Sequence, residues 1–273
     1  MTPAPARSLR GVDFTSRPTP RKPIVQAEGY LVGHTLHLER LRSFADPRTF
    51  ADSLREPGPW LGGFDLPFGL PRELVQALHW PDTWPALITH YRQLDRATIR
   101  ATFGAFCAAR PAGAKFAHRA CDRPAGSSPS MQWVNPPVAY MLHAGVPALL
   151  EAGCDLPGLH AGDPDRVALE AYPGLLAREL LGRRSYKSDD RARQTPDRQL
   201  ARQSLVDALV QGRSRLGLRL ALTASQQTAL VDDPSGDRLD AVLCLVQAAW
   251  ASRQPRHGWP DGVDGLEGWI LTA

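Results

Sequence analysis

Cysteine is scarce in this chain of 273 residues, and its four cysteines lie far apart. None belongs to a C-x-x-C pair, so neither a disulfide framework nor a cysteine-based zinc site is expected. The length is ample for a buried core and, at roughly 100–200 residues per domain, allows one large domain or a core domain with an insertion. The cysteines are Cys107, Cys121, Cys154 and Cys244.

Long apolar runs are also missing. The longest uncharged apolar stretch, residues 242–250, is far shorter than the roughly 20 residues that span a bilayer. The first ten residues contain no apolar segment of the kind that a signal peptide requires. We therefore expect a globular, cytoplasmic protein that does not act at a membrane.

The chain has only a small overall excess of charge of either sign. The 32 Lys and Arg residues against 28 Asp and Glu residues leave a net charge of +4, which neither requires nor excludes a nucleic-acid partner. The positive charge is nevertheless uneven. Residues 1–22 contain five basic residues and one acidic residue, and residues 183–203 contain seven and three, so each segment carries +4. The second segment could line a phosphate track or be a solvated loop.

Hydrophobic patterning predicts an α/β fold. The first third of the chain indicates three antiparallel strands, a helix and a returning strand that is buried on both faces. The segments that follow indicate a helical insertion, a further strand and several helices. The predicted strands cover residues 8–14, 23–32, 34–44, 59–66 and 166–172, and the helices outside the insertion cover residues 46–55, 175–181, 199–211 and 234–250.

The insertion is predicted over residues 71–160. Helical periodicity continues from residue 71 to about residue 110, and a loop rich in Gly, Ser and Pro follows as far as residue 137. Two short helices separated near Gly145 then lead to about Gly153. A segment of this length between two strands is large enough to cover a site at the edge of the sheet.

One acidic residue interrupts or ends each of three apolar runs: Asp13 in GVDFT, Asp65 in GGFDLPFG and Glu170 in VALEAYPG. A carboxylate in such a run is costly unless it is paired, hydrogen-bonded or bound to a metal. Asp237 and Asp240 lie three residues apart near the positive end of the last helix and project from one face. Carboxylates converging from strands and a helix are the ligands that Mg²⁺ or Mn²⁺ prefers.

Each carboxylate also has a purely structural interpretation. Asp13 could form an Asx-turn, and Asp65 could start the turn before a proline. Asp237 could reflect the preference of aspartate for helix N-termini. Glu170 and Asp240 are harder to explain in this way, because their neighbours are apolar.

Two further charged groups are notable. Lys187 and Tyr186, in the segment RSYK, could contact a scissile phosphate or cap a helix. Arg119 and Asp122, in HRACD, are expected to form an ion pair that closes a loop over the site.

The order of the acidic residues resembles the ribonuclease H-like superfamily, and in particular its resolvase-type branch. There, the first strand, the fourth strand and a D-x-x-D pair on the last helix form the metal site. The chain is also similar to the family known as domain of unknown function 429, whose members are described as predicted ribonuclease H-like nucleases. The similar segments, in order between Gly11 and Glu267, are GVDFTS, GFDLPFGLP, ALEAYPG, RSYK and DRLDAVLCLVQAAW.

The resemblance implies a single domain over residues 1–273. Its core would be a mixed five-stranded sheet flanked by helices, with the helical insertion between the fourth and fifth strands. The implied metal ligands are Asp13, Asp65, Glu170, Asp237 and Asp240.

The predicted function is a nuclease that hydrolyses phosphodiester bonds of DNA or RNA with Mg²⁺ or Mn²⁺. Two ions are expected, one activating a water and one stabilising the leaving oxygen. A catalytically inactive nucleic-acid-binding or scaffold module, and a hydrolase of a small phosphorylated molecule, remain open. A phosphotransferase of the actin and sugar-kinase type is disfavoured, because a second phosphate-binding half is missing. The predicted catalytic residues are Asp13, Asp65, Glu170, Asp240 and Lys187.

Overall fold

A computed structural model describes residues 7–273 of the protein, and residues 1–6 of the basic N-terminal segment lie outside the described residues. The strands are β1 (Ser8–Asp13), β2 (Ile24–Val32), β3 (Thr35–Phe44), β4 (Trp60–Asp65), β5 (Cys154–Asp155), β6 (Asp163–Glu170) and β7 (Arg219–Ala221). The α-helices are α1 (Pro47–Leu54), α2 (Arg72–Ala77), α3 (Trp84–Gln93), α4 (Arg96–Ala108), α5 (Asp122–Ala125), α6 (Val138–Glu151), α7 (Pro173–Leu181), α8 (Pro196–Val210), α9 (Ala224–Val231) and α10 (Asp237–Ala251).

The described strands form one mixed sheet in the order β5-β6-β4-β1-β2-β3-β7. β1, β2 and β3 make an antiparallel meander. β4 returns parallel to β1, and β6 lies parallel to β4. The carboxyl ends of β1, β4 and β6 therefore meet at one edge of the sheet, and α2 to α6 lie between β4 and β6 in the chain.

The predicted α/β fold is confirmed, but the prediction of five strands is wrong. The two additional strands, β5 and β7, have two and three residues, too few for any hydrophobic periodicity to be visible. Helices α5 and α9 were likewise not predicted. The break predicted near Gly145 is absent, because α6 continues through Pro147 as a single helix. Proline inside a helix removes only one backbone hydrogen bond when the surrounding packing retains the helix.

Helices cover both faces of the sheet because successive strand residues point to opposite sides. Val12 and Phe64 lie in a core formed with the helices between β4 and β6. Leu9 and Leu61 lie in a second core formed with α7, α8 and α10. Within residues 7–273, no helix combines the length and the apolar character needed to cross a lipid bilayer.

Helix α10 lies unusually close to the centre of the sheet, and two glycines make this possible. A Cβ atom at Gly11 would overlap the backbone of Ala241 and Leu245. A Cβ atom at Gly63 would lie 2.7 Å from the carbonyl oxygen of Cys244. Gly11 and Gly63 are register partners on β1 and β4, so the helix backbone rests on a part of the sheet that has no side chains.

We expect Gly11→Ala to destabilise the protein by at least about 1–3 kcal/mol, the usual cost of overpacking a core, because the new methyl group meets backbone that cannot rotate away. Gly104→Ala is the matched control: Gly104 lies in α4, and no atom lies within 4 Å of the place that the new methyl group would occupy. This control should stabilise the helix by up to about 1 kcal/mol. Urea unfolding measures both, and equal effects would contradict the close contact.

Candidate carboxylate centre

Two aspartates stand side by side where β1 and β4 end. Asp13 and Asp65 are the last residues of these adjacent parallel strands and are register partners. Each lies two residues after a glycine that faces α10, so both side chains point to the α10 side of the sheet. Among the described residues, neither carboxylate accepts a hydrogen bond from a protein group.

The third carboxylate of this group is Asp240, in the first turn of α10. It is fully buried and accepts hydrogen bonds from the Tyr186 hydroxyl and the Lys187 ammonium. The RSYK segment therefore supplies both partners of Asp240. Lys187 does not cap a helix: its ammonium neutralises a carboxylate of the predicted site.

The pKa values in this group reflect burial of several like charges around one lysine. Burial, and then the charge of Asp240, raises the pKa of Asp13 well above its usual value. The same two causes raise the pKa of Asp65 to about 7. Burial alone would lower the pKa of Lys187, but the attraction of Asp240, with contributions from Tyr186 and Asp13, raises it well above its usual value.

Asp237 lies one turn away from this group. It is buried, and burial followed by the charge of Asp233 raises its pKa. Asp13, Asp65, Asp237 and Lys187 line one cavity of about 350 Å³, which we call the acidic cavity. Other residues that line it include Thr15, Ser16, Lys22 and Asp189.

Glu170 lies on the other face of the sheet from these aspartates, although its charge contributes to the raised pKa of Asp65. Its register partner on β4 is Phe64 rather than Asp65, and this offset of one residue turns its side chain to the other face of the sheet. There it receives two hydrogen bonds of 2.7 Å from the Arg119 guanidinium and one of 2.9 Å from the Phe68 amide. Both carboxylate oxygens are thus used by the insertion.

Arg119 is the centre of a buried ionic cluster. The predicted ion pair with Asp122 is confirmed, with a distance of 2.9 Å, and Glu170 shares the same guanidinium. Arg119 also donates to the carbonyl oxygen of Glu267, near the C-terminus. The loop before α5 is thereby tied to the end of β6 and to the C-terminal segment.

The donor set fits a divalent cation only in part. Mg²⁺ is commonly bound through one or two carboxylates together with waters and substrate phosphates, and Asp13 and Asp65 offer two carboxylates without other partners. Asp240 and Glu170 already use their oxygens for Tyr186, Lys187 and Arg119. Among residues 7–273, no three His, Cys, Asp or Glu side chains are placed to hold a metal ion together. The roles of the five acidic residues as metal ligands stay predictions.

Sequence reasoning missed the features that build the aspartate pair. The sequence does not predict the hydrogen bond from the Tyr186 hydroxyl to Asp240 or the close approach of α10. A signal was present in the repeated G-x-D pattern, Gly11 to Asp13 and Gly63 to Asp65. In both strands the glycine admits the helix backbone, and the aspartate two residues later faces the beginning of the same helix.

Fold and site together define an α/β protein with a cluster of buried and half-buried carboxylates at the carboxyl edge of its sheet. The family described as "Protein of unknown function (DUF429)" matches residues 11–264, and the chain belongs to this family. No curated protein and no solved structure matches the chain.

The raised pKa of Asp65 predicts how stability depends on pH in the presence of EDTA. The folded state disfavours ionised Asp65, so stability is lost as the pH rises from about 4 towards the folded pKa of about 7. Asp65→Asn should therefore be more stable than wild type, by an amount that grows between pH 4.5 and pH 8. A difference of a few kcal/mol is expected, because each pKa unit corresponds to about 1.4 kcal/mol.

Chemical unfolding at several pH values measures this difference. Asp52→Asn is the control, since Asp52 lies in α1 with 76% of its side chain exposed. A constant difference between Asp65→Asn and wild type across the pH range would contradict the raised pKa of Asp65.

The Arg119 cluster predicts a large effect on stability. Arg119→Met leaves the buried carboxylates of Glu170 and Asp122 without their cation and should cost about 3–5 kcal/mol. Arg92→Met is the matched control, because the Arg92–Glu151 pair is about half exposed and should contribute less than about 1 kcal/mol. Guanidinium unfolding at neutral pH measures both, and similar losses would show that the cluster is not held by Arg119.

Proposed function

We propose that the protein is a Mg²⁺- or Mn²⁺-dependent hydrolase of phosphodiester bonds in DNA or RNA. The observation that carries the proposal is the pair Asp13 and Asp65, two adjacent carboxylates with raised pKa values and no protein donor among the described residues. Such a pair is costly to keep unless a cation or substrate group completes it. The aspartates also lie at the ends of the first and fourth strands, opposite a D-x-x-D pair on the last helix, as the ribonuclease H-like resemblance implies.

Asp13 and Asp65 would hold the cation in the acidic cavity. When bound, a cation of this kind lowers the pKa of water and neutralises charge on a phosphoryl oxygen. Asp237 lines the same cavity as Asp13 and Asp65, whereas Asp240 and Glu170 would each have to release a present partner before binding a second ion. The structure therefore favours a proposal in which Asp13 and Asp65 form the first cation site.

Lys187 would act on the substrate phosphate. Its side chain is 41% exposed and lines the acidic cavity, while Asp240, which it contacts, is fully buried. Tyr186 donates to the same carboxylate and so helps to fix the position of Asp240. Asp240 in turn holds the Lys187 ammonium at the wall of the cavity. An ammonium so placed suits contact with a phosphate oxygen as a point charge.

Exposed positive charge near this cavity supports a nucleic-acid substrate. Lys22 and Asp189 both line the acidic cavity and form an ion pair that joins the loop after β1 to the segment after α7. Several arginines of these two segments are exposed and form no ion pair with any described residue. They are Arg17, Arg21, Arg183, Arg184 and Arg191.

Metal binding and activity test this proposal separately. At pH 8, Mn²⁺ at one hundred times its Kd should raise the free energy of unfolding of wild type by about 2.7 kcal/mol. The double variant Asp13→Asn/Asp65→Asn should show no such increase. Cleavage of duplex, single-stranded, hybrid and branched substrates should fall by more than ~100-fold in the same variant, since metal catalysis contributes several kcal/mol. Asp52→Asn is the control for both. Unchanged Mn²⁺ stabilisation in the double variant would refute the cation site.

A binding or scaffold module is the second candidate function. It is favoured by the internal cations, because Lys187 neutralises Asp240 and Arg119 neutralises Glu170 without any metal. Under this alternative, wild type binds nucleic acid with the same affinity in EDTA and in Mn²⁺ and cleaves none of the four substrates.

A further inference from the structure

A second cavity adjoins the acidic cavity. It has a volume of about 310 Å³, which lies at the lower end of the roughly 300–1,000 Å³ usual for small-ligand pockets. The two cavities share four lining residues, so they are compartments of one space on either side of Asp65 and Lys187. The shared residues are Asp65, Pro136, Met141 and Lys187.

The walls of the second cavity are mainly apolar and come from several elements. Tyr172 is fixed by Arg178, whose guanidinium stacks 5.3 Å from the ring centre and donates to the Tyr172 hydroxyl over 3.2 Å. The Ser128 hydroxyl, by contrast, makes no hydrogen bond with any described residue. The apolar lining residues include Leu66, Pro67, Val138, Tyr172, Pro173 and Ile270, and the Arg119–Glu170 ion pair also lines the cavity.

We propose that the second cavity binds one unstacked nucleobase of a nucleic-acid strand whose adjacent phosphate lies at Asp65 and Lys187. This inference rests on the proposed function. Enzymes that read an extruded base hold it between apolar or aromatic side chains and hydrogen-bond its edge. Apolar walls, a tyrosine held by Arg178 and the hydroxyl of Ser128 match these needs.

The position of the cavity restricts the substrate further. Pro136 and Met141, from the segment leading into α6 and from α6 itself, line both compartments, so the insertion contributes to the wall around the shared space. A base that remains stacked and paired in a duplex cannot enter a compartment of this kind. The substrate class is therefore a single strand, a strand end or a branched nucleic acid with a splayed nucleotide.

Fluorescence anisotropy with two single-stranded probes tests the pocket. One probe is a labelled strand of ten thymidines, and the other has the same backbone with abasic sites throughout. Wild type should bind the thymidine strand ~10-fold or more tightly than the abasic strand, as expected for one base stacked on a protein surface. Ser128→Trp should fill the cavity and bring the thymidine strand to the affinity of the abasic strand.

Two further variants keep the test interpretable. Val138→Phe narrows the same cavity from α6 and should reduce the discrimination if Ser128→Trp does not fold. Ser225→Trp places the same side chain on the exposed part of α9 and should keep the wild-type ratio. Equal affinity of wild type for the two strands, no measurable binding, or unchanged discrimination in both cavity variants would overturn the proposal.

The ratio of the two affinities is measured in Ca²⁺ and again in EDTA. If the pocket binds a base, removing the cation should weaken the binding of both strands and leave the ratio of their affinities unchanged. A retained ratio in a protein that cleaves nothing would refute the proposed hydrolase and keep the pocket. Cleavage of the abasic strand as fast as the thymidine strand, with equal affinities, would refute the pocket and keep the hydrolase.

Discussion

Helix α10 packs directly against the centre of the sheet, and the geometry of the carboxylate site follows from this contact. Gly11 and Gly63 let the helix backbone lie directly on β1 and β4. This brings the N-terminal turn of α10 to the strand ends, where Asp240 meets the neighbourhood of Asp13 and Asp65. Without that close approach Asp240 would be separated from Asp13 and Asp65 by the thickness of side chains, and its charge would raise their pKa values less.

Several carboxylates lie close together at this edge of the sheet, and their repulsion is reduced by two basic residues on opposite faces. Lys187 serves the α10 face, where Asp240 is its partner. Arg119 serves the insertion face, where it links Glu170 and Asp122. The compensation is unequal, however. Glu170 has both oxygens hydrogen-bonded, whereas Asp13 and Asp65 have no donor among the described residues.

The insertion contributes to the site as well as to the fold. Its loop carries Arg119 to the end of β6, and the Arg119 guanidinium also binds the carbonyl oxygen of Glu267 near the C-terminus. Residues leading into α6 then form part of the wall around the acidic cavity and its neighbour. The core sheet provides the carboxylates, and the insertion shapes the space that a substrate would occupy.

Much of this arrangement was predictable from local patterns. Strand-length apolar runs placed β1, β2, β3, β4 and β6 within a few residues of their observed bounds, and the final helix was recognised from its apolar face. The acidic residues were identified because charge inside an apolar run is conspicuous. Segments of two or three residues, such as β5 and β7, were missed, since they pair only because a neighbouring strand is already in place.

Local sequence patterns are enough to place the carboxylates at strand ends and at the helix start. Which of them share a face follows instead from strand register, which the local patterns do not contain. Asp13 and Asp65 are register partners, while Glu170 is offset by one residue and opposes Phe64. Register between parallel strands depends on packing across the whole sheet, and because side chains alternate with a period of two, a shift of one residue moves a carboxylate to the opposite face.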